Sequence, residues 1–205
     1  MAPLAPVPTN LHRLALRVRP VDAATLLRLA WSDPATHRSF RRDARYRFDA
    51  PDGSYGVLYA AFDLPTAFVE TVIRDEPFKS AGSRAILSLA ELQARRVIRF
   101  QPAPNARALQ LIELVGEGLV AARTDNQISA VDDYALTRAW ARALHDHPLQ
   151  ADGLLYVSRF FAPSLSVALF DRCAPHLTVG AAAPLLAHPD LPALLDGLAL
   201  AIERP

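Results

Sequence analysis

The side chains most able to do chemistry fall in the stretch 47–70, which reads RFDAPDGSYGVLYAAFDLPTAFVE. It begins with Arg47, passes through a turn rich in Pro, Asp and Gly, and carries Tyr59 on an apolar segment. Glu70 follows among apolar neighbours. None of these three side chains is needed there for solubility. A fixed cation, a phenol and a carboxylate directed toward a common region therefore indicate a site for chemistry.

Local elements must position this group. The apolar run 57–62 predicts a strand. Asp63 is a typical N-cap residue and Pro65 suits a first helical turn, so a helix that carries Glu70 is predicted to begin there. A later apolar segment, ADGLLYVSRF, predicts another strand that ends at Ser158, the fourth candidate for the site.

The rest of the chain alternates short strands and helices. Further strands are predicted at 11–18, 85–89, 96–100 and 166–170, and Leu109–Leu114 predicts a strand or a short buried helix. Helices are predicted at 23–31 after the cap Asp22, from Asp132 or Asp133 onward, and at about 190–203. Residues 1–10 are Pro-rich and expected to be loosely ordered, and 116–130 has an irregular pattern. Without a regular βαβ rhythm, this indicates one α+β domain over 1–205 with a mixed, mainly antiparallel sheet and flanking helices.

Composition excludes several classes of protein. The 205 residues are 51% hydrophobic and 21% charged, which is typical of a globular chain, and their net charge of +1 argues against binding to nucleic acid or an anionic membrane. Cys173 is the single cysteine, so no internal disulfide can form. No run approaches the roughly 20 apolar residues that span a bilayer. With no signal-peptide pattern at the start, we expect a cytoplasmic protein.

Familiar cofactor and metal motifs are missing from the sequence. There is no Walker loop, and Gly53 and Gly56 are too few for a dinucleotide fingerprint. His145 and His147 lie two residues apart near a predicted helix end, where compensation of the helix dipole is the commoner role and metal binding the rarer one. We therefore predict no metal site.

The order of the remaining motifs resembles a known family. An arginine and a glycine turn, then VLYA, TAFVE, TRAWA and DGLLYVSRF, resemble the RES domain over residues of about 40–172. The resemblance implies a fold like that of ADP-ribosyltransferase toxins and an enzyme that degrades NAD⁺. Many members are the toxin of a bacterial toxin–antitoxin pair, held inactive by a partner with a helix-turn-helix domain.

The resemblance also implies roles for single residues. Arg47, Tyr59, Glu70 and Ser158 match the family's catalytic positions, with Arg47, Tyr59 and Phe48 as contacts to NAD⁺ and Phe62 as a further ring candidate. A guanidinium holds diphosphate oxygens bidentately, and a carboxylate favours the cationic sugar that forms as nicotinamide leaves. The chain departs from the family at Phe48 and Asp49, where many relatives have Trp and Asn. Asp49 is expected to add negative charge near the ligand.

Alternatives stay open for each residue and for the function. Arg47 could tie a loop to a carbonyl, Tyr59 could be a core residue, Glu70 could pair with Arg74, and Ser158 could simply end a strand. The enzyme could be a glycohydrolase or a phosphorylase of NAD⁺. It could instead transfer ADP-ribose to a protein, or be an inert interaction module. A homo-oligomer is also possible.

Overall fold

A computed structural model describes residues 3–74 and 86–203. Its strands are, in chain order, β1 Val18–Val21, β2 Leu27–Trp31, β3 Val57–Ala61, β4 Ile86–Leu87, β5 Arg95–Pro102, β6 Leu109–Leu114, β7 Gly153–Val157, β8 Leu165–Phe170, β9 Leu177–Pro184 and β10 Ala201–Ile202. Its α-helices are α1 Leu64–Phe68, α2 Leu89–Gln93, α3 Glu117–Ala122, α4 Gln127–Ala130, α5 Tyr134–His145 and α6 Leu191–Gly197. A π-helical turn, Val69–Ile73, continues α1, and 3₁₀ turns lie at Leu11–Arg13, Ala23–Thr25, Pro34–Thr36, Asp171–His176 and Leu185–Ala187.

Eight of these strands form one sheet in the order β1-β6-β7-β8-β3-β2-β5-β9. Each neighbouring pair is antiparallel except β6 and β7, which are parallel. A small second sheet pairs β10 with β4 in parallel. The predicted α+β class with a mixed, mainly antiparallel sheet is confirmed.

Apolar layers cover both faces of the large sheet, because strand side chains alternate between faces. On β3, Leu58 and Ala60 join one cluster, whereas Val57 packs in another with Trp140 of α5. α1 contributes Phe68, which is fully buried. Burying such a side chain stabilises the fold by about 1.5–3 kcal/mol. These layers hold the strands rigidly under the site.

The sheet opens between β2 and β3. These strands pair only through Leu27 and Ala61 in the described residues, whereas β2 pairs with β5 over five residues, from Leu27 opposite Arg99 to Trp31 opposite Arg95. Beyond the single pair the two strands diverge and leave a cleft between them. Arg28 of β2 and Tyr59 of β3, both discussed below, border this cleft.

The predicted helix at 23–31 is wrong. Asp22 does cap a turn, accepting a hydrogen bond from the amide of Ala24, but the turn is a three-residue 3₁₀ segment. The chain then enters β2, whose Leu27 and Leu29 are both buried. Pairing of this segment with β5 across five residues outweighs its helical propensity.

Segment boundaries differ elsewhere too. The strand predicted at 11–18 is a 3₁₀ turn followed by β1, which starts only at Val18. The stretch 116–130 contains α3 and α4. In the predicted strand 85–89, position 85 lies outside the described residues, Ile86–Leu87 forms β4, and α2 begins at Leu89. The strand β9 had no counterpart among the predicted elements.

The two chain ends also differ from expectation. The loose order predicted for residues 1–10 does not hold for the described part, 3–10, and positions 1 and 2 lie outside the described residues. Leu4 is buried, and the carbonyl of Ala5 accepts a hydrogen bond of 2.9 Å from Trp140 Nε1. The buried indole needs an acceptor, and this segment supplies it. The helix predicted at about 190–203 ends at Gly197, and Ala199 has a positive φ of 53° before β10. No helix within the described ranges is long and apolar enough to cross a membrane.

Candidate active site

Glu70 stands on the π-helical turn at the edge of the cleft. The predicted N-terminal signals of this helix are confirmed: Asp63 accepts the amide hydrogen bond of Thr66, and Pro65 lies in the first turn. The helix then widens, and the amide of Arg74 bonds to the carbonyl of Val69, five residues back. Such π-helical turns are rare and often occur at functional sites, because they re-aim one side chain.

Two donors fix the Glu70 carboxylate. Ser158 Oγ donates to Glu70 Oε1 at 2.6 Å, and the backbone amide of Arg159 donates to the same oxygen at 3.1 Å. Ser158 is itself buried, and its hydroxyl accepts a bond from the amide of Phe161. Within the described residues Oε2 accepts no hydrogen bond, so one carboxylate oxygen stays available to the cleft.

Arg74 does not pair with Glu70, as the alternative interpretation of that carboxylate required. Its Nη2 donates to the hydroxyl of Tyr134 at 3.2 Å, and its guanidinium lies 4.2 Å from the ring centroid of Tyr46. The π-helical turn has more residues per turn than an α-helix, so residues four apart no longer stack on one face. Arg74 is thereby a separate cation beside the carboxylate.

Arg47 shares a cavity with Glu70 but is largely buried. Its Nη1 donates to the carbonyl of Val131 at 2.6 Å, and the guanidinium lies 5.0 Å from the ring centroid of Tyr134. Burial lowers the pKa of Arg47. The contact with Val131 is the loop tie that was the structural alternative for this arginine. The cavity here has only about 10 Å³ of room, enough for about one water and too little for a diphosphate in this conformation.

The hydroxyl of Tyr59 is already occupied. It donates to Asp49 Oδ1 at 2.9 Å and accepts a bond of 2.9 Å from the amide of Phe48, while Asp49 Oδ2 accepts the amide of Tyr46. Burial, followed by the charge of Asp49, raises the pKa of Tyr59 well above its usual value. The phenol therefore stays neutral and presents its ring, not a free hydroxyl, to the cleft.

Asp49 does not face the ligand space, contrary to expectation. It is 1% exposed, and burial raises the pKa of its carboxyl. Its Oδ1 accepts the hydroxyl hydrogen bond of Tyr59 and its Oδ2 accepts the amide of Tyr46, and it does not line the cleft. Asp49 thus organises two tyrosines of the cleft wall instead of adding charge to it.

Two aromatic candidates lie elsewhere. Phe48 is fully buried and packs edge-on against Tyr156, with ring centroids 4.8 Å apart, so it is a core residue that a ligand cannot reach. Phe62 borders a separate surface depression with Leu165 and Arg19.

Cys173 is buried in the core, which raises the pKa of its thiol to about 12. A thiol that stays protonated is no nucleophile.

The cleft has three connected arms, and Tyr59, Glu70 and Arg74 border all of them. The Arg47 arm is the narrow one described above. A small inner arm of about 40 Å³ is lined by Glu70, Tyr156 and Ser166. The outer arm, of about 460 Å³, follows the gap between the diverging strands β2 and β3. Only the outer arm has room for a dinucleotide.

Arg28 is the functional candidate that sequence reasoning missed. It lies on β2 and borders both the inner and outer arms. Its Nε is inaccessible to solvent and has no hydrogen-bond partner in the described residues, and Nη1 reaches only the carbonyl of Ser39 at 3.5 Å. Burial, with a smaller effect of Arg41, lowers the pKa of Arg28 to about 10, so it remains charged at neutral pH. A buried cation without an anion is costly, and an anionic ligand would offset that cost.

Chemically, the site offers an oriented carboxylate beside buried guanidinium groups and aromatic rings. The carboxylate can stabilise positive charge that develops on a bound group, and the guanidiniums can hold a phosphate. No group of three or more His, Cys, Asp and Glu side chains placed to hold a metal ion occurs in residues 3–74 and 86–203. The arrangement suits bond cleavage next to a cationic carbon in a phosphate-bearing substrate.

Comparisons with known proteins found a matching family and similar proteins. The sequence model of a family described as the RES domain matches residues 31–192. A protein named probable toxin y4kH, from Sinorhizobium fredii (strain NBRC 101917 / NGR234), is 32% identical over 131 residues, which is 63% of this chain and 99% of that protein. A chain in the crystal structure of the M. tuberculosis MbcT–MbcA toxin–antitoxin complex aligns with a TM-score of 0.58 at 14% identity. That alignment covers 88% of this chain and 96% of the other. At this identity the likeness speaks for the fold alone.

Proposed function

The chain belongs to the RES domain family, and on that premise we propose that it is an enzyme that cleaves the nicotinamide–ribose bond of NAD⁺. The acceptor would be water, giving ADP-ribose, or phosphate, giving ADP-ribose phosphorylated at the carbon that nicotinamide leaves. Depletion of NAD⁺ would make the enzyme a toxin. The relative named as a probable toxin supports this last step.

The observation that carries the proposal is how the Glu70 carboxylate is held. Ser158 and the Arg159 amide hold one oxygen, and Glu70 borders a cleft lined with guanidiniums. As the C–N bond breaks, positive charge grows on the ribose, and a fixed carboxylate stabilises that charge more than the ground state. Nicotinamide leaves as a neutral base, so the reaction requires no general acid.

The diphosphate would lie against Arg28 and Arg74 in the outer arm. Arg28 has a buried, unpartnered Nε, and Arg74 stands beside Glu70 without pairing with it. Arg47, the arginine that the resemblance assigns to this role, is tied to Val131 in a narrow cavity. We assign Arg47 to the closed end of the site, where it braces Tyr134 next to the reacting sugar.

A product assay tests the proposal. The purified protein, free of any partner, is incubated with NAD⁺ with and without phosphate, and the products are separated by chromatography and mass spectrometry. We expect release of nicotinamide together with ADP-ribose or its phosphorylated form. Intact NAD⁺ at micromolar enzyme, or a stable ADP-ribose label on a protein, would contradict this assignment.

The matched variant is Glu70→Gln, which keeps the size of the side chain and removes its charge. Turnover should fall on the order of 100-fold or more, as for loss of a preorganised electrostatic group. Thermal unfolding controls for folding. A variant that unfolds like wild type and still turns over at the wild-type rate would remove Glu70 from the mechanism.

We further propose that an antitoxin protein with a helix-turn-helix domain binds this enzyme and suppresses it. The structural neighbour comes from a toxin–antitoxin complex, which supports an antitoxin as the partner. An adjacent small reading frame for such a protein, whose co-expression restores growth to cells that express the enzyme, would be the expected result. Growth arrest that persists with every neighbouring reading frame co-expressed would contradict the proposal.

A further inference from the structure

The outer arm carries more positive charge than NAD⁺ requires. Its walls hold a single carboxylate, Glu70, and five guanidiniums, which belong to Arg28, Arg41, Arg45, Arg74 and Arg95. The whole chain is close to neutral at +1. The concentration of arginine here is therefore local, and it creates a field that favours a multiply charged anion.

Two of the five are compensated by carboxylates. Arg41 forms an ion pair with Asp43, and Arg95 Nη2 bonds to Glu91 at 2.6 Å. Within residues 3–74 and 86–203, the other three guanidiniums have no carboxylate within ion-pair distance; they belong to Arg28, Arg45 and Arg74. Three cations thus stay available to a ligand.

These three cations border different parts of the cleft. Arg74 borders all three arms next to Glu70, Arg28 borders the inner and outer arms, and Arg45 borders only the outer arm. A dinucleotide whose reacting ribose lies at Glu70 would place its diphosphate at Arg74 and Arg28. Arg45, which borders the outer arm alone, is then the cation left for the adenosine half, because the two charges of the diphosphate match Arg74 and Arg28.

The outer arm also has an exposed aromatic surface. Trp31 at the end of β2 is 46% exposed although it is large and apolar, and Arg95 lies 3.5 Å from its ring centroid. Arg45 itself is exposed and lies 5.4 Å from the ring centroid of Tyr46. An exposed indole in the same arm as unpaired guanidiniums suits a purine ring whose ribose carries a phosphate.

We propose that the outer arm binds the adenosine half of a dinucleotide that carries a further phosphate on the adenosine ribose, as NADP⁺ does, with Arg45 as the guanidinium that receives this phosphate. The inference rests on the proposed function, since it places the reacting ribose at Glu70. It adds that the enzyme prefers the phosphorylated dinucleotide. Arg45 is then a residue that determines substrate specificity.

The test measures binding of two products that cannot turn over, ADP-ribose and 2′-phospho-ADP-ribose, to the purified protein by calorimetry. We expect the 2′-phosphate to tighten binding by about tenfold or more, the size of one charge-assisted hydrogen bond. In Arg45→Gln this ratio should fall toward one. Arg13→Gln is the matched control, since it removes the same charge from an exposed arginine outside the cleft and should keep the wild-type ratio.

Each outcome of these measurements supports or overturns the inference. Equal affinities for the two products, or an unchanged ratio in Arg45→Gln, would overturn the inference and leave NAD⁺ cleavage standing. An equal loss in Arg13→Gln would show general electrostatic attraction instead of a site, and would overturn it as well. If neither product binds and neither NAD⁺ nor NADP⁺ is cleaved, both the inference and the proposed function fail.

Discussion

Replacing Ser158 by alanine should slow the enzyme through Glu70, although Ser158 touches no solvent. Its hydroxyl is one of two donors to Glu70 Oε1, at 2.6 Å, and the Arg159 amide at 3.1 Å is the other. A hydrogen bond to a charged group contributes about 1.5–3 kcal/mol. If loss of this hydrogen bond weakens stabilisation of the transition state by the same free energy, the rate falls roughly 10- to 150-fold.

The assay is the rate of nicotinamide release at saturating and at low NAD⁺. Because the lost bond orients the carboxylate and does not bind the substrate, we expect the fall in kcat with KM little changed. Ser158→Cys, with a weaker donor of similar size, should lie between serine and alanine. Thermal unfolding is measured in parallel, since the amide of Phe161 also loses its acceptor.

Ser129→Ala serves as the control, because it removes another buried serine hydroxyl that does not contact Glu70. A Ser158→Ala enzyme with wild-type kcat would refute the reasoning, and so would an equal loss of kcat in Ser129→Ala. The first result would mean that the Arg159 amide alone suffices to orient the carboxylate. The second would mean that any loss of packing near the cleft has the same effect.

Three further changes have distinct expected outcomes. Arg28→Gln should raise KM for NAD⁺ by about tenfold or more, because a charge-assisted contact to the diphosphate is lost. Arg13→Gln is the control for this variant. Equal KM values in both variants would exclude Arg28 from binding. Phe48→Leu should lower the melting temperature without changing KM, because Phe48 packs in the core; a raised KM with unchanged stability would return it to the ligand site. The raised pKa of Asp49 means that its stabilising effect is present below the unfolded pKa near 3.8 and is lost as pH rises through the folded value. Asp49→Asn should therefore gain stability relative to wild type as pH rises from 4 to 7 in denaturant unfolding, and a constant difference would contradict that sign.

Local signals in the sequence were sufficient where a residue acts on its immediate neighbours. Asp63 and Pro65 start the helix that carries Glu70, and the alternating run after Gly56 forms β3. The apolar periodicity after Asp133 forms α5, whose first helical residue is Tyr134. These features depend on capping and on side-chain period, both of which operate over a few residues.

Long-range pairing decided the elements that were mispredicted. The segment 23–31 has helical residues and an N-cap, but β5 offers it a five-residue ladder. The segment 1–10 is Pro-rich, yet Trp140 finds its acceptor there. Neither partner lies near in sequence, so no local pattern could reveal either contact.

The sequence by itself determined the class of fold and the family resemblance from which the four candidate residues were predicted, because element signals and motif order are local features of the chain. Only the tertiary structure decided what those residues face. In the folded protein the hydroxyl of Tyr59 is bonded to Asp49, Phe48 is buried in the core, and Arg28 lines the cleft. The physical reason is that β2 and β3 diverge after one pair, and the direction of a side chain at such a gap depends on strands far apart in sequence.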